Sequence, residues 1–134
     1  MSTAVAIRRS GYTHDVEAGG HSLVVDEPES SGGADEGPSP TRVLAASLAA
    51  CTAITIEMYA ERKGWDVGPL RVEVEAGKDE SDGLHYEVTL HLPSDMTAEQ
   101  TERIRTIACK CPVHRALSGE TPVSITDVVA TGAE

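Results

Sequence analysis

Residues 40–63 read PTRVLAASLAACTAITIEMYAERK, and the fold follows from this stretch. Leu44, Leu48, Cys51, Ile54 or Thr55, and Met58 recur at steps of three and four, the spacing of one helical face. Ala45, Ala46, Ala49, Ala50 and Ala53 fill the other faces with small side chains. A helix apolar nearly all round belongs in an interior. Local chemistry marks its ends: Ser39 suits the N-cap, Pro40 the first helical position, and Gly64 a left-handed C-cap. Arg62 and Lys63 complement the dipole in the last turn. At about 1.5 Å per residue the helix runs about 36 Å, long for a chain of 134 residues. It is expected to cross the whole structure and to meet a symmetry mate.

On the amino-terminal side, Tyr12 to Val16 and His21 to Val25 are extended candidates around Ala18-Gly19-Gly20, a hairpin pattern. Asp26 to Gly37 holds five acids, no bases, one Pro and three Gly, and is expected to be a solvated loop. On the carboxyl-terminal side, Leu70, Val72, Val74 and Ala76 alternate with Arg71, Glu73 and Glu75. Leu84, Tyr86, Val88, Leu90 and Leu92 then alternate with His85, Glu87, Thr89 and His91. Period two predicts two strands with one covered and one wet face, joined by a polar loop from Gly77 to Gly83. Thr97-Ala98-Glu99-Gln100 has the form of a capping box for a second helix that buries Ile104, Ile107 and Ala108. Pro112 is expected to break or kink that helix just after Cys111, and Val123 to Val129 to form a closing strand.

The chain is of single-domain size, so residues 1–134 are expected to form one α/β domain around a modest core. With 40% hydrophobic and 25% charged residues it has the balance of a soluble protein. Three Tyr, one Trp and no Phe leave a core thin in bulky groups, which favours covering by a second copy. A formal net charge of -11 argues against nucleic acid and against anionic membranes. No stretch reads as a membrane span of roughly 20 residues, and Met1 to Ser10 has no apolar signal core. The expected location is therefore cytoplasmic, where cysteines are more often catalytic, sensing or metal-binding than structural.

Three thiols carry the chemistry: Cys51 in the long helix, and Cys109 and Cys111 near the end of the second. Cysteine often acts only as a small hydrophobe, so packing is the plain reading of Cys51. Should the two helices lie side by side, Cys51 and Cys111 fall within disulfide reach. Residues two apart point in different directions on a helix, so one of Cys109 and Cys111 should face Cys51. Cys111, with its Pro112-Val113-His114 context, is favoured, and Cys109 is assigned to packing. Cys109, Cys111, His114 and Cys51 could also serve as zinc ligands, but the spacing lacks a paired Cys-x-x-Cys knuckle, so no metal is expected. His114 reads as a surface or capping group, with a base near Cys111 as its sharper role.

Five blocks in order resemble the OsmC/Ohr family, the osmotically inducible and organic hydroperoxide resistance proteins. They are Asp26 to Ser30, Gly37 to Pro40, Leu44 to Ala53, Met58 to Trp65 and Cys111 to Arg115. The resemblance, closest to the OsmC-like subgroup, implies an α/β homodimer in which antiparallel sheets wrap two long central helices, with the chains intertwined. It implies a thiol peroxidase for organic hydroperoxides in which Cys51 attacks the peroxide and Cys111 closes a disulfide on the resulting sulfenic acid. A lipoyl protein, thioredoxin or small thiol would restore the pair, and no metal, haem or flavin is needed.

Two positions depart from the family pattern. Peroxidase members orient an activating arginine with a glutamate near the start of the long helix, where this chain has Thr41 and Arg42. That loss favours a rival reading, a dimeric redox-sensing or binding protein with weak or no peroxidase activity. The subgroup also more often has Glu at the position of Arg42 and Arg at that of Glu57, so this chain exchanges the two charges. On one helix they stand about 22 Å apart. Across two antiparallel helices crossing near Ala49 and Ala50, Arg42 of one protomer would meet Glu57 of the partner subunit.

Overall fold

The computed structural model describes residues 2–78, 83–119 and 122–128. Strands β1 (Ala4–Ser10), β2 (Thr13–Ala18) and β3 (His21–Val25) form an antiparallel meander in the order β1-β2-β3. The hairpin between β2 and β3 turns on Gly19 and Gly20, both at positive φ (56° and 85°), as a two-residue loop between twisted strands demands. Strand β1 escapes the sequence reading because Val5 and Ile7 are followed by Arg8-Arg9-Ser10 rather than by further alternation.

The acidic segment after β3 is more ordered than its composition suggests. Asp26 is buried, and its carboxylate accepts from Thr13 Oγ1 at 2.6 Å, the Glu27 amide at 2.7 Å and the Glu36 amide at 3.2 Å. The Thr13 hydroxyl, outweighing burial, and then these amides hold its pKa below the usual aspartate value. Its own amide reaches Pro38 O at 3.1 Å, closing the loop on itself. At Gly33 an added Cβ would stand 1.9 Å from Glu27 O, so only glycine fits that approach. The expected solvated loop is thus a structured connection with one buried acid at its centre.

Helix α1 (Pro40–Lys63) has the expected bounds, and its C-cap Gly64 adopts the left-handed conformation with its N–H on the carbonyls of Ala60 and Glu61. Ser39 occupies the N-cap but makes no side-chain cap bond; its Oγ lies 3.4 Å from Thr41 Oγ1 instead. The buried stripe is Leu48, Thr52, Ile56, Tyr59 and Ala60, rotated from the predicted one, and Ile54 and Met58 are exposed. Only one side of the helix is covered within the protomer, by the β4–β5 sheet and the two later helices. By length and composition α1 is apolar enough to cross a membrane, contrary to expectation, but its stripe packs on the rest of the chain.

Strands β4 (Arg71–Lys78) and β5 (Leu84–His91) pair antiparallel with Val72 opposite Leu90, Val74 opposite Val88 and Ala76 opposite Tyr86. The predicted loop is therefore shorter, since Gly77 and Lys78 belong to β4, and residues 79–82 lie outside the described part. Helix α2 (Ala98–Ala108) starts with the full capping box: Thr97 Oγ1 accepts from the Gln100 amide, and Gln100 Oε1 accepts from the Thr97 amide, each at 3.0 Å. It buries the three residues the periodicity selects, Ile104, Ile107 and Ala108. The core joins Ile56, Ala60, Val67, Ile104 and Ala108, flanked by Trp65, Leu90 and Met96. Each buried isoleucine there contributes about 1.5–3 kcal/mol.

Two expectations fail at the end of the chain. Pro112 opens a further helix, α3 (Pro112–Ser118), because its fixed φ and missing N–H suit a first helical position as well as they disrupt an interior one. Residues 122–128 form no strand, and Val123, Ile125 and Val128 are exposed; Val129 lies outside the described residues. Their alternating pattern finds no sheet edge in the protomer. The whole is a mixed α/β fold with antiparallel sheets and three helices.

A thiol pair as the candidate active site

Cys51 sits midway along α1, directly before the buried Thr52. Cys111 ends the short connection after α2 and serves as N-cap of α3, with its Sγ accepting the His114 amide at 3.5 Å. A cysteine at this position is held by local geometry, since the two turns Lys110 N to Ile107 O and Cys111 N to Ala108 O swing the chain back over α1. The two thiols come close enough there for each to shift the other's ionisation. Cys111 is wholly buried and Cys51 partly exposed.

These surroundings divide the charge unequally. Burial raises the pKa of Cys51, and its hydrogen bond to Cys111 adds to the rise, against weaker help from the Val113 amide and Thr55. At Cys111 burial also opposes ionisation, yet the Cys51 thiol, the His114 and Val113 amides and the Thr52 hydroxyl together bring its pKa below the ordinary thiol value. Of the two, Cys111 is the one whose surroundings favour the thiolate. Backbone amides at the start of a helix are suited to this task. Thr52 Oγ1 is buried with no hydrogen-bond partner of its own, and it stands near enough to the Cys111 sulfur to favour the thiolate. No cation is among the groups that shift either thiol.

A cavity of about 550 Å³ is walled by Val88, Leu90, Leu92 and Ala108, with Thr52, His114, Arg105 and Cys109 among its polar points; Thr52 follows Cys51 in the chain, and neither Cys51 nor Cys111 itself lines it. Tyr86, whose hydroxyl is buried without a partner, lies with His114 along a second hollow between β5 and α3. Cys109 is exposed rather than packed, its Sγ donating to Arg105 O at 3.6 Å, because α2 stops one residue before it. His114 is half-buried and contributes its backbone amide to Cys111. Among the described residues no cluster of His, Cys, Asp and Glu has the form of a metal site.

Arg42 and Glu57 lie on the exposed side of α1, and among the described residues neither forms an ion pair. Arg42 borders a groove between α1 and β4 lined by Ala45, Ala46, Ala49 and Val74. Sequence reasoning named both cysteines but missed Thr52 and the Val113 amide. The signal for Thr52 was its place four residues after Leu48 and four before Ile56, on the stripe that proves buried.

The profile of a family described as OsmC-like protein matches residues 32–126. Among solved structures, the fold is similar to a Psychrobacter arcticus protein attributed to the osmotic stress and detoxification response. That pair shares 21% identity over 87% of this chain and 88% of that one, at a TM-score of 0.76. It is also similar to the organic hydroperoxide resistance protein OhrB of Bacillus subtilis, with 24% identity, coverage of 90% and 92%, and a TM-score of 0.59. The organic hydroperoxide resistance protein of Elizabethkingia anophelis gives 26% identity, 90% and 89% coverage, and a TM-score of 0.65. No curated protein matches the chain in sequence. Sequence profile and fold agree, and the chain belongs to the OsmC-like family.

Proposed function

We propose that the protein is a thiol-dependent peroxidase that reduces organic hydroperoxides through a Cys51 sulfenate and a Cys51–Cys111 disulfide. The observation that carries this reading is that the two thiols lie near enough to perturb each other's ionisation, with Thr52 and His114 beside them lining a largely apolar cavity. Exposure supports this division of roles: Cys51 is partly open to solvent, whereas Cys111 is sealed. The Cys111 thiolate takes the Cys51 proton as the Cys51 sulfur attacks the distal peroxide oxygen. The O–O bond breaks, the alkoxide leaves and is protonated to the alcohol, and Cys51 becomes a sulfenic acid. Cys111 then attacks that sulfur, hydroxide leaves as water, and the disulfide closes. Two electrons from an external dithiol, whether a lipoyl protein, thioredoxin or a small thiol, restore both thiols. The alkyl tail of an organic hydroperoxide suits the cavity wall of Val88, Leu90 and Leu92.

The working unit in this reading is an intertwined homodimer of single-domain chains in the cytoplasm, where thiols stay reduced. Support comes from the uncovered flank of α1, with Ile54 and Met58 exposed, and from the exposed Val5 and Ile7 of β1. Arg42 and Glu57 of the partner subunit would pair across the helix crossing. Arg42→Glu weakens the dimer, and the exchanged double variant Arg42→Glu with Glu57→Arg restores it; sedimentation that shows no such rescue rules the pair out.

One observation favours the alternative, a redox-sensing or binding protein with weak or no peroxidase activity: among the described residues no cation is a main cause of either thiol's shift. Treating reduced protein with cumene hydroperoxide and following free thiols separates the two. The peroxidase loses two thiols rapidly, and its Cys111→Ser variant overoxidises at Cys51. Slow oxidation by peroxide with ready disulfide exchange identifies the sensor.

A further inference from the structure

The reaction above leaves its disulfide in an awkward place. Cys111 is wholly buried and Cys51 only partly exposed, so an external reductant meets the disulfide at Cys51 alone. The third thiol differs from both. Cys109 is exposed, yet it borders the same cavity as Thr52 and His114, two of the residues that favour the Cys111 thiolate. It occupies the C-cap of α2, two residues from the N-cap of α3, and the chain between them folds into the turn closed by Cys111 N to Ala108 O at 3.3 Å. Two Cα–Cα steps of about 3.8 Å, bent by that turn, fall within the roughly 4.4–6.8 Å that a disulfide spans. Its present sulfur contact, a 3.6 Å bond to Arg105 O, is weak and on an exposed side chain free to change rotamer on the ps–ns scale.

We propose that Cys109 is an exchange thiol that carries the disulfide from the buried pair to the surface. The inference rests on the Cys51–Cys111 pairing of the reading above. The Cys109 thiolate attacks Cys111 Sγ; the bond between Cys51 and Cys111 breaks, and Cys51 leaves with the electron pair and takes up a proton. One disulfide replaces another, so no electrons are gained or lost. The Cys109–Cys111 bond is short-looped and exposed at Cys109, the kind that external thiols open readily. A dithiol attacking at Cys109 then supplies two electrons, and both cysteines return to thiols.

The test loads the disulfide with diamide, so it does not depend on peroxide chemistry. Oxidised Cys51→Ser protein is cleaved with trypsin, which cuts after Arg105, Lys110 and Arg115. Peptides 106–110 and 111–115 are expected to remain joined until reduced. In parallel, diamide-oxidised wild type and Cys109→Ser are mixed with dithiothreitol, and the return of the Cys51 thiol is timed. The variant is expected to recover at least tenfold more slowly. Separate peptides in the first experiment, or wild-type recovery in the second, overturns the proposal. Failure of peroxide to form the disulfide, with exchange intact after diamide, instead removes the peroxidase reading and leaves Cys109 in its role.

Discussion

Replacing Thr52 by valine tests the account of the thiol pair most directly. Valine keeps the shape of the side chain and removes only the hydroxyl, which is buried and has no partner while Cys111 is neutral. Once Cys111 ionises, that hydroxyl donates to its sulfur. A hydrogen bond to a charged group contributes about 1.5–3 kcal/mol, and about 1.4 kcal/mol is a factor of ten. Thr52→Val should therefore lower the ionisation constant of the Cys111 thiol about tenfold or more and move its titration to higher pH. At acid pH, where Cys111 is neutral, the folded state should not suffer, because an unpaired buried hydroxyl costs about 1–3 kcal/mol and valine relieves that cost. Thiolate absorbance in the ultraviolet, followed across pH in a Cys109→Ser background, reads the first effect, and the urea midpoint reads the second. A titration that superimposes on the parent's, or a loss of stability without a shift, refutes the reasoning.

Further outcomes follow from the scaffold. Ile104→Ala opens a cavity under α1 at a wholly buried position and should cost about 2–5 kcal/mol in urea unfolding. Thr97→Ala removes one half of the capping box and should cost about 0.5–2 kcal/mol, a loss that Thr97→Ser largely avoids. Asp26→Asn should loosen the segment from Glu27 to Pro38, read as faster proteolysis there at neutral pH. The Asp26 carboxylate has a folded pKa below its unfolded one, so its contribution is complete above about pH 3.9 and disappears as pH falls through the folded value. Acidification below that point should make wild type approach the variant, and equal cutting of the two at neutral pH would count against the buried acid.

Helix α1, the capping box of α2 and the presence of β4 and β5 were legible because each depends on near neighbours in sequence: caps three residues apart, apolar positions at period two or four. The meeting of Cys51 with Cys111 depends on where α3 begins, and Pro112 is compatible with both ending and opening a helix. Which face of α1 is buried was misread for a related reason. An all-apolar helix has no internal contrast, so the covering elements choose the stripe, and they select Thr52 and Ile56 over Ile54 and Met58. Asp26 was misread because composition weighs an acid as solvated, while Thr13, Glu27 and Glu36 satisfy it from three separate places.

The first three strands have a thermodynamic position of their own. Thr13 is the one fully buried residue in β1, β2 and β3, and neither face of that meander rests on the Ile56–Ile104 core. Opening it sacrifices little apolar contact, so its amides should exchange with solvent through a partial excursion while those of α1 and α2 wait for global unfolding. A second chain laid over the meander would close that gap. The protection of β1 to β3 should then rise with protein concentration while the central helix gains less, an ordering that ties the integrity of the amino-terminal strands to mass action.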